Sequence, residues 1–376
     1  MLKKIMTFKS GPFVFSSDYS QERLFELQTE SRILFRTVND LPVLPRIASQ
    51  LQEDLIKRSI FSTAAMEGNP LSAEKVSEII DGKENIQNTE KSTVEIRNLT
   101  NVYNLIRTIE KKNEITLLSE DLIKKLHFLI TDKIDYDGNI PGKYRNHTVK
   151  VGNSEHGGIY TPPKILKDIQ KLMSEFVKWI NSKEVYELDP IIRAALAHYH
   201  LALIHPFGDG NGRTARIVEA YLLRSSGIKY IPTMLSNFYY KNMDDYYWAF
   251  SRSIKDKSLS ITPFLEFVFL GVVESLKEIK EIITYHIRVL ALKDYYHFLK
   301  SEKKITQRQY DVLMNLLDKP SFTISLKDLY QKRPFDILYR KVSPSSARRD
   351  LKRLMGLGIL RVIEGNTYGI NYRALD

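Results

Sequence analysis

The sequence predicts a mainly α protein in three parts: a helical N-terminal region, an all-helical core carrying a short β-hairpin, and a C-terminal winged-helix domain. Three observations predict it. Apolar residues recur at helical spacing over most of the chain. One stretch, YDGNIPGKYRNHTVKVGNSEHGGIYTPP at 136–163, breaks that texture with Gly, Pro and β-formers. From 303 onward the order is helix, helix, helix, hairpin. The expected boundaries are 1–110, 111–300 and 301–376.

Residues 18–58 read as helix, loop, helix, broken by LPVLPR at 41–46. LQEDLIKRSIFSTAAMEGNP then reads as a helix ending at Gly68, with Asn69 and Pro70 enforcing the stop. LSAEKVSEII opens another helix with Ser72 as N-cap. Amphipathic stretches follow at 93–112 and 118–132. In 136–163 the spacing predicts a loop and a hairpin with its tip at His156-Gly157-Gly158. Helical periodicity resumes at 164–181 and 189–203. RTARIVEAYLLRSSG predicts a helix ending at Gly227, and helices continue to about residue 300. ITQRQYDVLMNLLDK is a helix, and FTISLKDLYQKR a short strand or turn and then a helix. SPSSARRDLKRLMGLG is a helix capped by Ser343, with Pro344 in its first turn. ILRVIEGNTYGI is a hairpin around Gly365-Asn366.

The composition bounds the chemistry. The 376 residues contain no Cys, which excludes disulfides and thiolate metal sites and fits a reducing cytosol. A cytoplasmic protein is therefore expected. The formal net charge is +11. A surplus of that size suits polyanionic partners such as nucleotides or nucleic acid. Residues 301–376 hold 15 Lys and Arg against 8 Asp and Glu, so this tail supplies +7 of the total. The opening MLKKIMTFKSGPFVF has no clean apolar core, so no signal peptide is expected. The longest apolar run, ITPFLEFVFLGVV, carries Glu266 and is too short to span a bilayer. No membrane association is expected.

The densest chemistry lies in HPFGDGNGRTAR, residues 205–216. A helix starting near Gly210-Asn211-Gly212 offers unpaired N–H groups and a positive dipole end. Glycine there lets a phosphate approach the main chain. Asn211 adds a side-chain donor. Arg213 and Arg216 lie three residues apart on one helix face and suit more than one phosphate group. Asp209 beside this positive pocket makes best sense as a Mg²⁺ ligand bridging phosphates. His205 is placed as a general base. That set suits attack of a hydroxyl on a nucleotide phosphorus. Walker-type loops are absent. A metal hydrolase built on His205 and Asp209 gains nothing from His198 and His200, which face apart on a helix.

HPFGDGNGRTAR resembles the Fic motif HxFx(D/E)GNGRxxR at every specified position: His205, Phe207, Asp209, Gly210, Asn211, Gly212, Arg213 and Arg216. The resemblance implies protein AMPylation, in which AMP passes from ATP to a side-chain hydroxyl of a target protein or of the chain itself. It implies that His205 deprotonates the hydroxyl and that Asp209 holds Mg²⁺. The helix start from Gly210 through Asn211, Gly212, Thr214 and Ala215 would bind ATP. Arg213 would grip the outer phosphates, Arg216 would orient the terminal one, and Phe207 would anchor the loop. PGKYRNHTVKVG with GGIYTPP is similar to the family's flap, which could hold a target segment by strand addition. NFYYKNMDDYYWAF resembles the segment that closes the nucleotide pocket, with Asn242 as its nucleotide contact.

A further stretch, STAAMEGNP at 62–70, places Glu67 at a helix C-terminus, where the dipole disfavours it. Thr63 to Gly68 fits the family's inhibitory pattern (S/T)xxxE(G/N). The resemblance implies that Glu67 pairs with Arg216 and so denies the terminal phosphate its partner. The chain would belong to the subclass with an N-terminal inhibitory helix. A different class of function remains open for the tail. SPSSARRDLKRLMGLG offers Arg348, Arg349, Lys352 and Arg353 on a candidate recognition helix, for contact with DNA or with protein. A homodimer is also in keeping with the resemblance.

Overall fold

The computed structural model describes residues 2–83, 89–108, 117–136, 138–318 and 322–376. It is mainly helical and divides into two units, one of residues 1–40 and 48–279, the other of 41–47 and 280–376.

The first unit opens on a hairpin that the sequence reading did not contain. Strand β1 (Leu2–Met6) pairs antiparallel with β2 (Pro12–Ser16), from Leu2 opposite Ser16 to Met6 opposite Pro12. Two five-residue runs are too short to declare a period. The hairpin is fixed from outside: Asp168 accepts the N–H groups of Phe8, Lys9 and Ser10 and the Ser10 hydroxyl. Phe15 on β2 is buried and stacks on Trp179, at 5.3 Å between centroids.

Helices α1 (Gln21–Asp40) and α2 (Pro45–Ala65) flank the expected break. The two stretches read on either side of residue 50 join as the one helix α2. Its regular part stops at Ala65. A turn then carries Met66, Glu67 and Gly68, with Glu67 N–H donating to Ala64 and Gly68 N–H to Ala65. Gly68 has φ +83°, a conformation that costs other residues about 1 kcal/mol or more. Helix α3 (Ala73–Ile80) is capped by the Ser72 side chain. Helix α4 (Lys91–Arg107) ends before the expected 112; residues 109–112 lie outside the described residues. Helix α5 (Glu120–Thr131) is capped by Ser119.

The segment 138–163 holds less β-structure than expected. Its hairpin is one antiparallel bridge, in which the Val151 and Tyr160 N–H groups donate to each other's carbonyls at 2.9 and 2.8 Å. Positive φ at Gly152, Gly157 and Gly158 turns the chain away from a regular ladder. Helices α6 (Leu166–Ile180), α7 (Lys183–Tyr186), α8 (Pro190–Ile204), α9 (Asn211–Ser225), α10 (Leu235–Lys241) and α11 (Met243–Lys255) complete the unit. Every residue of α8 from Ile192 to Leu201 is buried, so this helix sits at the core, with its buried Arg193, His198 and His200 engaged by partners. A six-residue connection, residues 205–210, joins it to α9, and that loop is the candidate site.

Helix α12 (Thr262–Ser301) runs through 40 residues, the last of them in the second unit. That unit adds α13 (Gln307–Leu317), α14 (Asp328–Gln331), α15 (Phe335–Tyr339) and α16 (Pro344–Gly356), then β3 (Leu360–Glu364) and β4 (Thr367–Ile370). Thr306 and Gln309 form a capping box at α13. Ile324 bridges Tyr368, adding an edge to the β3–β4 hairpin. Leu292, Tyr296, Val312, Leu316, Leu329, Leu351 and Leu354 lie in one apolar core. Buried Asp350 accepts from Arg308, Gln309 and Tyr339, and so ties α13 and α15 to α16. Among the described residues no helix is long and apolar enough to cross a membrane.

Candidate active site

His205 ends α8 in a left-handed conformation, φ 48° and ψ 60°. A non-glycine residue is rarely held there without an external partner. Arg145 supplies it. Its Nε donates to the His205 carbonyl at 2.8 Å, its N–H to the Pro206 carbonyl, and its Nη2 to the Pro163 carbonyl. The His205 ring donates from Nδ1 to the Ala202 carbonyl at 3.3 Å. That bond places the proton on Nδ1 and leaves Nε2 as the acceptor. Burial, reinforced by the Arg145 charge, pushes the His205 pKa down to about 4. The imidazole is therefore neutral at neutral pH, the form a general base requires.

The loop beyond it is packed as firmly as a core. Phe207 is fully buried and lies flat on His127, 3.7 Å between centroids and 5° from parallel. His127 accepts from Gly142 N–H through Nδ1 and donates from Nε2 to the Asp209 carbonyl. The Asn211 side chain closes the loop on itself. Its Oδ1 accepts from Phe207 N–H and its Nδ2 donates to the Phe207 carbonyl, both at 2.9 Å. The donor expected to reach a phosphate is spent on the loop, because an amide four residues away matches both main-chain groups of Phe207 at once.

Gly210 is the N-cap of α9, with φ +73°, and offers no side-chain cap. Thr214 N–H is the first of the helix to find a helical partner, the Gly210 carbonyl. The N–H groups of Asn211, Gly212 and Arg213 precede it, the donors that every helix start leaves for other partners. The Glu67 carboxylate lies beside Gly212 in that first turn. Its Oε1 accepts from Arg216 Nη2 at 2.7 Å, and a Cβ at Gly212 would overlap the same oxygen. Arg216 is 2% exposed and also donates to the Thr63 carbonyl. Burial alone would raise the Glu67 pKa. The Arg216 and Arg213 charges outweigh it and hold the carboxyl below its ordinary value. The glutamate is ionised and occupies the end of a helix built for an anion.

Arg213 is held differently. Its Nη1 donates to Glu95 Oε1 and to the Tyr136 hydroxyl, and its Nη2 to Asp209 Oδ1 at 3.1 Å. The guanidinium is 2% exposed. Asp209 is 36% exposed, and among the described residues its carboxylate contacts, from Arg213 and from Gly210 N–H, go to Oδ1. A half-open carboxylate with its second oxygen unengaged fits one ligand of a Mg²⁺ ion, which takes one or two carboxylates and completes its shell with phosphate and water. Among the described residues no three His, Asp or Glu side chains gather as a metal cluster.

Above the loop lies a cavity of about 520 Å³, walled by Glu67, His205, Gly212 and Arg216 at one end and by Tyr246, Tyr247, Phe250 and Ile254 at the other. The 150–160 segment covers it. The tip at Gly157 packs on Ser251, and His156 Nε2 meets Asp244 Oδ1 at 2.9 Å. The structure thus brings together Glu67, His205, Gly212 and Arg216. Asp209, Gly210, Asn211 and Arg213 lie in the adjoining loop and helix start, outside the walls of that cavity. Thr214 and Ala215 are buried behind the helix start, with the Thr214 hydroxyl on the Gly210 carbonyl. Asn242 does not wall the cavity either; its amide donates to Phe238 O and closes the end of α10. His198 and His200 do face apart: His198 bonds Glu219 and Tyr246, and His200 bonds Ser16. Sequence reasoning did not find Glu95, His127, Tyr136 or Arg145. Each stands outside the motif and reaches it through space, so no local spacing marks it.

The region that holds this site is similar to known proteins. A family model described as the Fic/DOC family matches residues 117–223. The protein adenylyltransferase Fic of Aedes aegypti is 27% identical over 259 residues, covering 67% of this chain and 46% of that protein. The same-named protein of Drosophila erecta is 30% identical over 177 residues, covering 43% and 33%. The chain spans less than half the length of these relatives. A Fic family protein from Desulfovibrio desulfuricans G20 shares the fold at TM-score 0.57 and 19% identity, over 94% of this chain and 97% of that one. A Fic domain containing signaling protein from Bacteroides thetaiotaomicron does so at 0.55 and 19%, over 70% and 97%. The matched residues 117–223 contain the His205–Arg216 loop and helix start, so the chain is similar to the Fic/DOC family over the region that holds this site.

Proposed function

We propose that the chain is a protein adenylyltransferase, transferring AMP from ATP to a Tyr, Thr or Ser hydroxyl of a target protein or of itself, and that Glu67 restrains it. The observation that carries this reading is the ionised Glu67 seated on Arg216 at the open end of α9, a few residues from a neutral His205. His205 takes the hydroxyl proton on Nε2, the freed oxygen bonds the α-phosphorus, and pyrophosphate leaves. The N–H groups at the start of α9 and the two arginines draw the phosphates and stabilise the charge of the leaving group. Asp209 is the residue to hold Mg²⁺, which would neutralise phosphate charge when bound. The rings of Tyr246, Tyr247 and Phe250 supply an apolar wall for the base. With Glu67 in place, Arg216 is occupied and a second negative charge is repelled.

The test is transfer of label from α-labelled ATP with Mg²⁺. Glu67→Gly is expected to raise it by one to two orders of magnitude, roughly the span of a strong coupling between sites. Adding His205→Ala is expected to abolish it. Label arriving from γ-labelled ATP instead would overturn AMP transfer as the reaction. The compartment that suits this cysteine-free chain is the cytoplasm.

A second reading concerns residues 301–376. Helix α16 exposes Arg348, Arg349 and Lys352, while its one acid, Asp350, is buried and paired. A winged-helix arrangement would lay this basic face on duplex DNA. Binding of the full chain that weakens steeply with salt supports the reading; no retention at low salt removes it. Protein contact through the same face, and a homodimer, are the competing partner proposals.

A further inference from the structure

We infer that Glu95 is a positioning residue that couples the turn carrying Glu67 to the first motif arginine, so that Asn69 and Glu95 form a second tie holding the brake down. The inference rests on the adenylyltransferase reading and goes beyond it, to residues outside both motifs.

Glu95 sits on α4 and is 5% exposed. A buried carboxylate is costly unless both oxygens are engaged. Both are. Oε1 accepts from Arg213 Nη1, and Oε2 accepts from Asn69 Nδ2 at 2.8 Å. Asn69 follows Glu67 by two residues and is itself pinned. Its Nδ2 also donates to the Ser92 carbonyl, its Oδ1 accepts from Leu71 N–H, and its N–H bonds the Ala64 carbonyl. The turn after α2 therefore reaches α9 twice. Glu67 meets Arg216 directly, and Asn69 meets Arg213 through Glu95. The two arginines are three residues apart on one helix face, so the turn is fastened to α9 at two neighbouring points.

Two consequences follow. Release of Glu67 requires the turn at Met66–Asn69 to move, and the Asn69–Glu95 bond opposes that motion. Separately, Glu95 and Tyr136 both take Nη1 of Arg213, which turns Nη2 toward Asp209. Arg213 then keeps its orientation beside the proposed metal ligand whether or not the brake is seated.

The experiment uses the full chain with α-labelled ATP and Mg²⁺. With Glu67 present, Asn69→Ala is expected to raise AMP transfer about tenfold. In a Glu67→Gly background the same change is expected to leave transfer within twofold, since no brake remains to loosen. A gain of activity that depends on Glu67 is not what simple unfolding produces. In the Glu67→Gly background, Glu95→Gln is expected to lower kcat about tenfold at a nearly constant KM for ATP, with Glu95→Asp recovering most of it. The inference is overturned if Asn69→Ala fails to raise transfer, if it raises it equally without Glu67, or if Glu95→Gln leaves kcat unchanged. Should Glu67→Gly transfer no AMP at all, the functional reading fails and amide exchange still decides the tie. Asn69→Ala and Glu95→Gln are both expected to speed exchange at residues 64–70, and unchanged exchange in either overturns it.

Discussion

Helices α9 and α16 begin alike on paper and differ in everything that follows. Each opens after a polar loop and carries two arginines within its first two turns. At α16 the Ser343 side chain accepts the Ser346 N–H, so the helix end is closed by its own residue. Arg348 and Arg349 point to solvent. At α9 the N-cap is Gly210, which has no side chain to offer, and the Glu67 carboxylate, from the turn after α2, lies against Gly212 and pairs with Arg216. Arg213 and Arg216 are buried among acids. The arginines of the two helices differ in their surroundings: those of α9 are buried where the helix has no cap of its own, those of α16 lie in solvent.

The comparison can be broken most severely at Arg213. Arg213→Ala would leave Glu95 and Asp209 without their cation, and removal of one partner of a buried pair costs about 3–5 kcal/mol. The measurement is urea unfolding followed by tryptophan fluorescence. Both tryptophans, Trp179 and Trp248, lie in the first unit, so the signal reports on the unit that holds the site. A shift below about 1 kcal/mol would mean that Arg213 is no better buried than an arginine of α16.

Acidification is the next largest test. Burial lowers His127, His200 and His205 to about 4, below the ordinary histidine value. The unfolded chain therefore binds protons that the folded chain refuses between about pH 6.5 and 4. Stability is fully present above 6.5 and falls as pH drops through that window, by up to about 3 kcal/mol for each ring. Tryptophan-detected unfolding at a series of pH values is expected to show the loss; a flat profile from 7 to 5 would place these rings in water.

Smaller effects belong to α16. Ser343→Ala is expected to cost about 1 kcal/mol, seen in the helical signal of unfolding, with AMP transfer by the Glu67→Gly chain unchanged. Arg348→Ala with Arg349→Ala is expected to stay within about 0.5 kcal/mol. A larger loss would show that these side chains are engaged in the fold.

The fold class was legible because it is local. Helical periodicity, the LPVLPR break and the caps at Ser72 and Ser343 are written in neighbouring residues, and those helices form close to where they are expected. The β1–β2 hairpin was not legible, since its hold comes from Asp168, more than 150 residues away. The bridge at Val151 and Tyr160 is shorter than the expected hairpin because its glycines turn the chain. The site divides in the same way. The loop from His205 to Arg216 is contiguous and could be read directly. Its supports could not. His127 beneath Phe207, Arg145 at the His205 carbonyl and Glu95 on Arg213 carry no pattern in their own neighbourhoods. Asn242 shows the reverse: a resemblance marked it as a nucleotide contact, and the structure spends its amide on Phe238.

By itself, then, the sequence determined which helix would start bare and which residues would crowd around its tip, because capping and spacing act within a few residues of the chain. Only the tertiary structure decided what fills that bare end and how the two arginines are shared out. A carboxylate in the turn after α2 wins Arg216, and another on α4 wins Arg213. Charges meet through space, so their pairing is settled by packing and not by order along the chain.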